Sequence, residues 1–171
     1  MKKIIVINGT MGVGKSTVSK ALNQSLENSA WLDGDWCWMM NPWNFSEENK
    51  EMVVNNICYI LNNFLINTSL EYIIFSWVIH TDDILKKIVD RLATNCFELY
   101  PVTLMCSENE LIERIKNDNR TPTGFDSSVA RLGLYEKMAT YKINSTGVGI
   151  DEIIGQIVDF INNVKGTVRD H

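Results

Sequence analysis

Short apolar runs alternate with amphipathic stretches along this chain. Ile4 to Ile7 is a continuous β-branched run, the pattern of a strand buried on both faces. A glycine-rich turn follows, and then apolar residues at helical spacing, Val18, Ala21/Leu22 and Leu26. A short second strand is expected at Ala30 to Asp33. Ser46 offers an N-cap, with Glu47 and Glu48 in the favourable first turn. The helix behind it carries Val53, Val54, Ile57, Ile60, Leu61, Phe64 and Leu65 as one stripe. Tyr72 to Ile79 reads as the third strand, and Thr81 caps a helix bearing Ile84, Leu85, Ile88 and Leu92. The fourth strand lies within Phe97 to Cys106. Because Pro101 cannot donate to a ladder, its ordered part is placed after that residue. Ser107 to Glu110 reads as a capping box, with Leu111, Ile112 and Ile115 facing inward behind it. The polar stretch 117–128, with Pro122 and Gly124, reads as a mobile loop. A helix from about Val129 to Ala139, a strand at Tyr141 to Asn144 and a helix with Ile150, Ile153, Ile154, Ile157 and Ile161 complete the pattern. Residues 166–171 are expected to be a frayed tail.

Strands alternating with helices in this way predict an α/β fold, a mostly parallel sheet covered on both faces. The 171 residues fit one domain, 1–171, and 45% hydrophobic with 22% charged residues is an ordinary globular composition. A net charge of −5 argues against nucleic acid as a partner, since phosphate backbones reward clustered positive charge. The longest late apolar run, Tyr72 to Ile79, falls far short of the ~20 residues that span a bilayer, and the N-terminal run is too short for a signal-peptide core. A cytoplasmic protein without a membrane partner, a monomer or homodimer acting on a small molecule, is therefore expected. Cys37, Cys58, Cys96 and Cys106 form no metal-ligand spacing and read as four buried thiols.

Gly9-Thr10-Met11-Gly12-Val13-Gly14-Lys15-Ser16 fits G-x-x-x-x-G-K-[ST] at every fixed position. Glycines let the backbone curl with its N–H groups converging on phosphate oxygens, and the following helix adds the positive end of its dipole. Lys15 supplies a full charge to the β and γ phosphates of ATP, and the Ser16 hydroxyl suits Mg²⁺. Gly9 through Ser16, with Thr17 next in the helix, are the candidate nucleotide-binding residues. The accidental alternative arises in on the order of one chain in a hundred, and the position between a strand and a helix argues against it.

Asp33-Gly34-Asp35 follows the second expected strand, on the same sheet edge as this loop. Alternate residues of an extended chain point the same way, so both carboxylates can face one site. One can serve the Mg²⁺ shell and the other can orient or deprotonate an attacking hydroxyl. A solvated Asp-Gly-Asp turn is the plainer alternative. The chain lacks an Asn-Lys-x-Asp tetrapeptide for guanine, since Asn49-Lys50 is followed by Glu51-Met52.

On these residues nearly the whole chain resembles the P-loop kinases of small metabolites: shikimate kinase, gluconate kinase, chloramphenicol phosphotransferase and nucleoside monophosphate kinases. The resemblance implies a three-layer P-loop NTPase fold, a five-stranded parallel sheet in order 2-3-1-4-5 and a mobile lid at about 117–128. It implies that Asp33 helps hold the metal and that Asp35 meets the acceptor hydroxyl. Leu111-Ile-Glu-Arg114 and Asp118-Asn119-Arg120 look like the helix leading into that lid, whose arginines reach ATP phosphates or stack on adenine. Arg120, at the mouth of the polar loop, is the preferred catalytic arginine. Arg114 could equally pair with Asp118 on the helix surface. The stretch from Arg131 through Tyr135 to Ala139 looks like the R-x-x-L-Y-x-x-x-A run of shikimate kinases, where the arginine holds a substrate carboxylate. Asn144 to Val148, with Ser145, corresponds to the segment passing the adenine ring.

The pattern departs from shikimate kinases after the third strand, where Phe75-Ser76-Trp77 replaces a glycine run. No arginine occurs from Gly34 to Asp90, which disfavours heavily anionic acceptors, because desolvating an anion without partners is costly. Trp31, Trp36, Trp38 and Trp43 crowd one short stretch. Trp31 reads as core; Trp36 and Trp38, just beyond Asp35, read as the wall of an acceptor pocket for a flat, weakly polar body. His80 could touch the acceptor, although a plain strand-end histidine is the commoner case. The expected activity is ATP-dependent phosphorylation of a hydroxyl on a small, uncharged molecule such as a nucleoside, sugar or antibiotic. The alternative is an ATP-binding or ATPase module acting as a switch or drug-resistance protein without an acceptor.

Overall fold

The computed structural model describes residues 1–93, 96–118 and 125–168. In chain order the elements are β1 (Lys2–Asn8), α1 (Lys15–Ser25), β2 (Ser29–Asp33), a 3-10 turn (Gly34–Trp38), α2 (Glu47–Ile66), β3 (Tyr72–Trp77), α3 (Asp82–Val89) and β4 (Phe97–Met105). They continue with α4 (Glu108–Asn117), α5 (Phe125–Ala130), α6 (Leu132–Lys137), β5 (Tyr141–Asn144), α7 (Ile150–Asn163) and β6 (Thr167–Val168).

Five strands pair in parallel in the order β2-β3-β1-β4-β5, the arrangement that the resemblance implied. Strand β1 sits at the centre, and its alternating side chains feed two cores. Ile4 and Val6 pack with Ile73, Phe75 and the α2 residues Val53, Ile57 and Leu61. Ile5 and Ile7 pack on the opposite face with Leu22 of α1, Leu111 and Ile115 of α4, and Ile153 and Ile157 of α7. All-parallel pairing brings the C-terminal ends of β1, β2 and β3 to one edge, where α/β sheets bind their ligands.

The helix starts follow local chemistry. Ser46 accepts from Asn49 N at 3.2 Å and Thr81 from Ile84 N at 3.4 Å. Ser107 accepts from Glu110 N, but the box is not reciprocal, because Ser107 N donates to Thr146 Oγ1 at 2.8 Å. The Glu110 carboxylate is thereby left for other partners.

Several sequence expectations need correction. Strand β4 runs straight through Pro101, which stands opposite Val6 of β1. On the other side, β5 pairs only with Val102 to Met105 and β6 only with Glu98 and Leu99, so the proline falls in the gap between two short neighbours. The tail is not frayed at its start: Thr167–Val168 pairs antiparallel with β4. The single helix expected near 129–139 is two, α5 and α6, broken at Arg131. Of the cysteines, Cys58 and Cys106 are buried, Cys37 is intermediate and Cys96 is exposed. No helix among the described residues is long and apolar enough to cross a membrane. The heart of the expected lid, residues 119–124, lies outside the described residues, and so does Arg120.

Candidate active site

The turn after β1 is a backbone nest. Gly14 has φ 105°, a left-handed conformation, and forms the N-cap of α1, with its carbonyl accepting from Val18 N at 3.0 Å. Gly12 has φ 87°, and a β-carbon there would lie 2.6 Å from Ile115 Cγ1. The loop is therefore pressed against α4 at a place only glycine can occupy. Lys15 arches back over it, its ammonium donating to Thr10 O at 3.0 Å. Thr10 is itself buried, and its hydroxyl donates to Ser128 O at 2.8 Å, tying the loop to α5.

Ser16, in the first turn of α1, donates from its hydroxyl to Asp33 Oδ2 at 2.7 Å. The other oxygen of the same carboxylate accepts from Asp35 N at 3.1 Å and caps the 3-10 turn. That turn starts at Gly34, where a β-carbon would lie 2.5 Å from Trp77 Cγ. Asp33 is 6% exposed, whereas Asp35 stands in solvent at the rim of a recess of about 110 Å³. Met11, Lys15, Ser16, Asp35, Val78 and Asp118 are among its lining residues. Cationic, hydroxyl and carboxylate groups thus converge on one recess beside the glycine loop.

A hydroxyl beside a buried carboxylate is a hard-oxygen pair suited to Mg²⁺, which prefers one or two protein oxygens plus phosphates and waters. No group of three or more His, Cys, Asp or Glu that could hold a metal occurs among the described residues. Ser16 and Asp33 fit a cation that arrives with its nucleotide.

A second cleft of about 290 Å³ runs from Gly12 and Gly14 past Arg114 and Ser145 to Val148, Ile150 and Ile153. Its apolar floor suits a flat ring. Arg114 holds the cleft together. Its guanidinium donates to Val13 O at 2.7 Å, Ser145 O at 2.9 Å and Ser145 Oγ at 3.1 Å, and pairs with Glu110. The other Glu110 oxygen accepts from Gly147 N at 2.9 Å. The ion pair is with Glu110, one turn earlier, and not the surface pair with Asp118 weighed from the sequence. Burial raises the nearby Cys106 thiol pKa above its ordinary value.

The tryptophans are not arranged as the sequence suggested. A 3-10 turn has about three residues per turn, so Trp36 and Trp38 leave it in different directions. Trp38 is 6% exposed and packs in the core beside Trp43 and Phe45 at centroid distances of 6.0 and 5.1 Å. Trp36 leans on Trp31 at 4.9 Å and borders a separate recess with Met39, Tyr59 and Ile60, which contains no residue of the phosphate recess. Trp31, half-buried, donates from Nε1 to Ser76 Oγ at 2.9 Å. Arg131 is exposed at the start of α6. His80 lies beyond β3, and burial, followed by the nearby Arg131 charge, lowers its pKa below 6.5.

Asn8, Glu110 and Ser128 escaped the sequence reading. Asn8 directly precedes the glycine loop and Glu110 stands four residues before Arg114 on one helix face, which were usable signals; Ser128 acts through a contact that no local pattern carries.

A family model described as an AAA domain matches residues 5–131. No curated protein sequence matches the chain. Among solved structures, the tunicamycin resistance protein of Deinococcus radiodurans is similar with TM-score 0.71 at 20% identity, covering 98% of this chain and 99% of that one. A gluconokinase from Sinorhizobium meliloti 1021 gives 0.70 at 18% identity, over 95% and 92% of the two chains. Shikimate kinase from Acinetobacter baumannii, in complex with shikimate, gives 0.63 at 17%, over 95% and 94%.

Proposed function

This chain belongs to the AAA domain family, and from that premise we propose that it transfers the γ-phosphoryl group of ATP to a hydroxyl of a small, uncharged molecule. The observation that carries the reading is the relay from Ser16 through the two oxygens of Asp33 to the backbone of Asp35, with Lys15 lining the same recess. In this reading the buried Asp33 carboxylate links the hydroxyl that would help hold the metal to the residue that would meet the acceptor.

The glycine loop and Lys15 would grip the triphosphate, and the cleft along Val148 and Ile153 would take the base. Ser16 and Asp33 would hold Mg²⁺, which would supply neutralisation of the phosphate charge. Asp35 would orient the acceptor hydroxyl and take its proton as the new O–P bond forms and the bond to the ADP oxygen breaks. Charge on the transferring group needs a donor that arrives on closure; Arg120 is proposed for that role and Arg131 for the acceptor side.

The test is acceptor-dependent release of ADP across a panel of hydroxyl-bearing metabolites and antibiotics, with the product identified by mass. Asp35→Asn should lower transfer about 100-fold or more while leaving ATP affinity within about twofold. ATP consumption without any phosphorylated acceptor would replace this reading with a hydrolysing or drug-sequestering module, for which the likeness to a tunicamycin resistance protein is the supporting observation.

A further inference from the structure

The phosphate recess and the cleft proposed for the base adjoin, because Gly12, Gly14, Thr17 and Asp118 line both of them. A nucleoside triphosphate laid across the two would set its phosphates on the glycine loop and its base against Val148 and Ile153. Its sugar and first phosphate would then fall on the shared stretch. The two glycines present only backbone there, and Thr17 a hydroxyl that can donate or accept. Asp118, which is exposed, is the one carboxylate of the four.

The place of Asp118 is fixed by packing. It ends α4, with its N–H donating to Arg114 O at 3.1 Å. That helix is tied to the glycine loop twice. Ile115 presses on Gly12 so closely that a β-carbon there would lie 2.6 Å from its Cγ1, and Arg114 donates to Val13 O at 2.7 Å. Standing four residues beyond Arg114, Asp118 lies on the same side of α4, and both residues line the cleft.

Chemistry then selects what the carboxylate can meet. An ionised carboxylate accepts hydrogen bonds and does not donate them. Phosphate oxygens are acceptors of the same charge sign, so the first phosphate is no partner for it. The donors in the middle of a nucleoside triphosphate are the vicinal 2′ and 3′ hydroxyls of ribose, which the two oxygens of one carboxylate can take together. A base amino group is a donor as well, but the apolar end of the cleft suits the base, whereas Asp118 also borders the phosphate recess.

We propose that Asp118 is a specificity-determining residue of the nucleotide site, accepting the ribose hydroxyls and making the protein prefer ribonucleotides over deoxyribonucleotides. This rests on the reading of the two cavities as one ATP site.

The experiment is calorimetry of the full chain with the Mg²⁺ complexes of ATP, 2′-deoxy-ATP and 2′,3′-dideoxy-ATP, without an acceptor. The parent should hold ATP about 10-fold or more tighter than the dideoxy analogue, with the 2′-deoxy compound between them. Asp118→Ala should bring ATP and dideoxy-ATP to within about twofold of each other, and Asp118→Asn, which keeps one acceptor oxygen, should retain part of the preference. A merely structural role would weaken all three nucleotides alike and leave their ratio unchanged. The inference is overturned if the parent binds the three equally, or if Asp118→Ala keeps the parent's ratio. It is also overturned if that variant instead loses discrimination between ATP and inosine triphosphate, since Asp118 would then read the base. A parent that binds no MgATP removes the nucleotide site and this inference together. A parent that prefers ribose yet yields no phosphorylated product from the acceptor panel fails only the transferase reading.

Discussion

The hydroxyl of Ser16 donates to Asp33 at 2.7 Å, which joins the first turn of α1 to the end of an edge strand. The two residues are far apart in sequence and meet because parallel strands deliver their C-terminal ends to one edge. Replacing Asp33 by asparagine keeps the shape and removes the charge. The expected result is a 10- to 100-fold higher Mg²⁺ requirement, with the fold retained, read from ATP turnover against metal concentration.

Lys15→Ala removes the full positive charge of the loop. Its ammonium also donates to the Thr10 carbonyl at 3.0 Å. Nucleotide-dependent turnover should fall about 100-fold or more, and calorimetry should show weakened MgATP binding.

Gly12→Ala places a β-carbon 2.6 Å from Ile115 Cγ1 at a left-handed backbone position. The loop or α4 must shift, at a cost of about 1–3 kcal/mol. Thermal melting should detect this as a drop of several degrees, accompanied by loss of nucleotide binding.

Arg114→Ala deletes the clasp between Val13 and Ser145 and leaves Glu110 with Gly147 N as its remaining described partner. Hydrogen bonds to a charged group carry about 1.5–3 kcal/mol, so a loss near 2 kcal/mol is expected, seen as an earlier denaturant midpoint. The KM for ATP should rise more than kcat falls, because the clasp shapes the cleft proposed for the base and not the reacting atoms.

His80 should leave a mark on stability against pH. Its pKa is held below 6.5 in the fold by burial and then by Arg131, so the unfolded chain binds more protons as pH drops. Its contribution is complete above about 6.5 and declines as the pH falls toward the folded value. In melts run from pH 7.5 to 5, His80→Asn should lose less stability on acidification than the parent protein.

Local sequence carried the features that depend on neighbours in the chain. Gly9 to Ser16 specifies its own curled backbone, Ser46, Thr81 and Ser107 cap the helices that begin beside them, and the double-sided run Ile4 to Ile7 declares a central strand. What only the tertiary structure decided are the contacts between remote segments. Pro101 is tolerated because β5 and β6 leave a gap beside it. Trp38 is core, and not pocket, because a 3-10 turn aims it inward. Arg114 bonds the phosphate loop because α4 packs beneath Gly12. Spacing along a chain fixes backbone shape and periodic faces, but the direction of a side chain beyond them is set by which surfaces the folded sheet brings together.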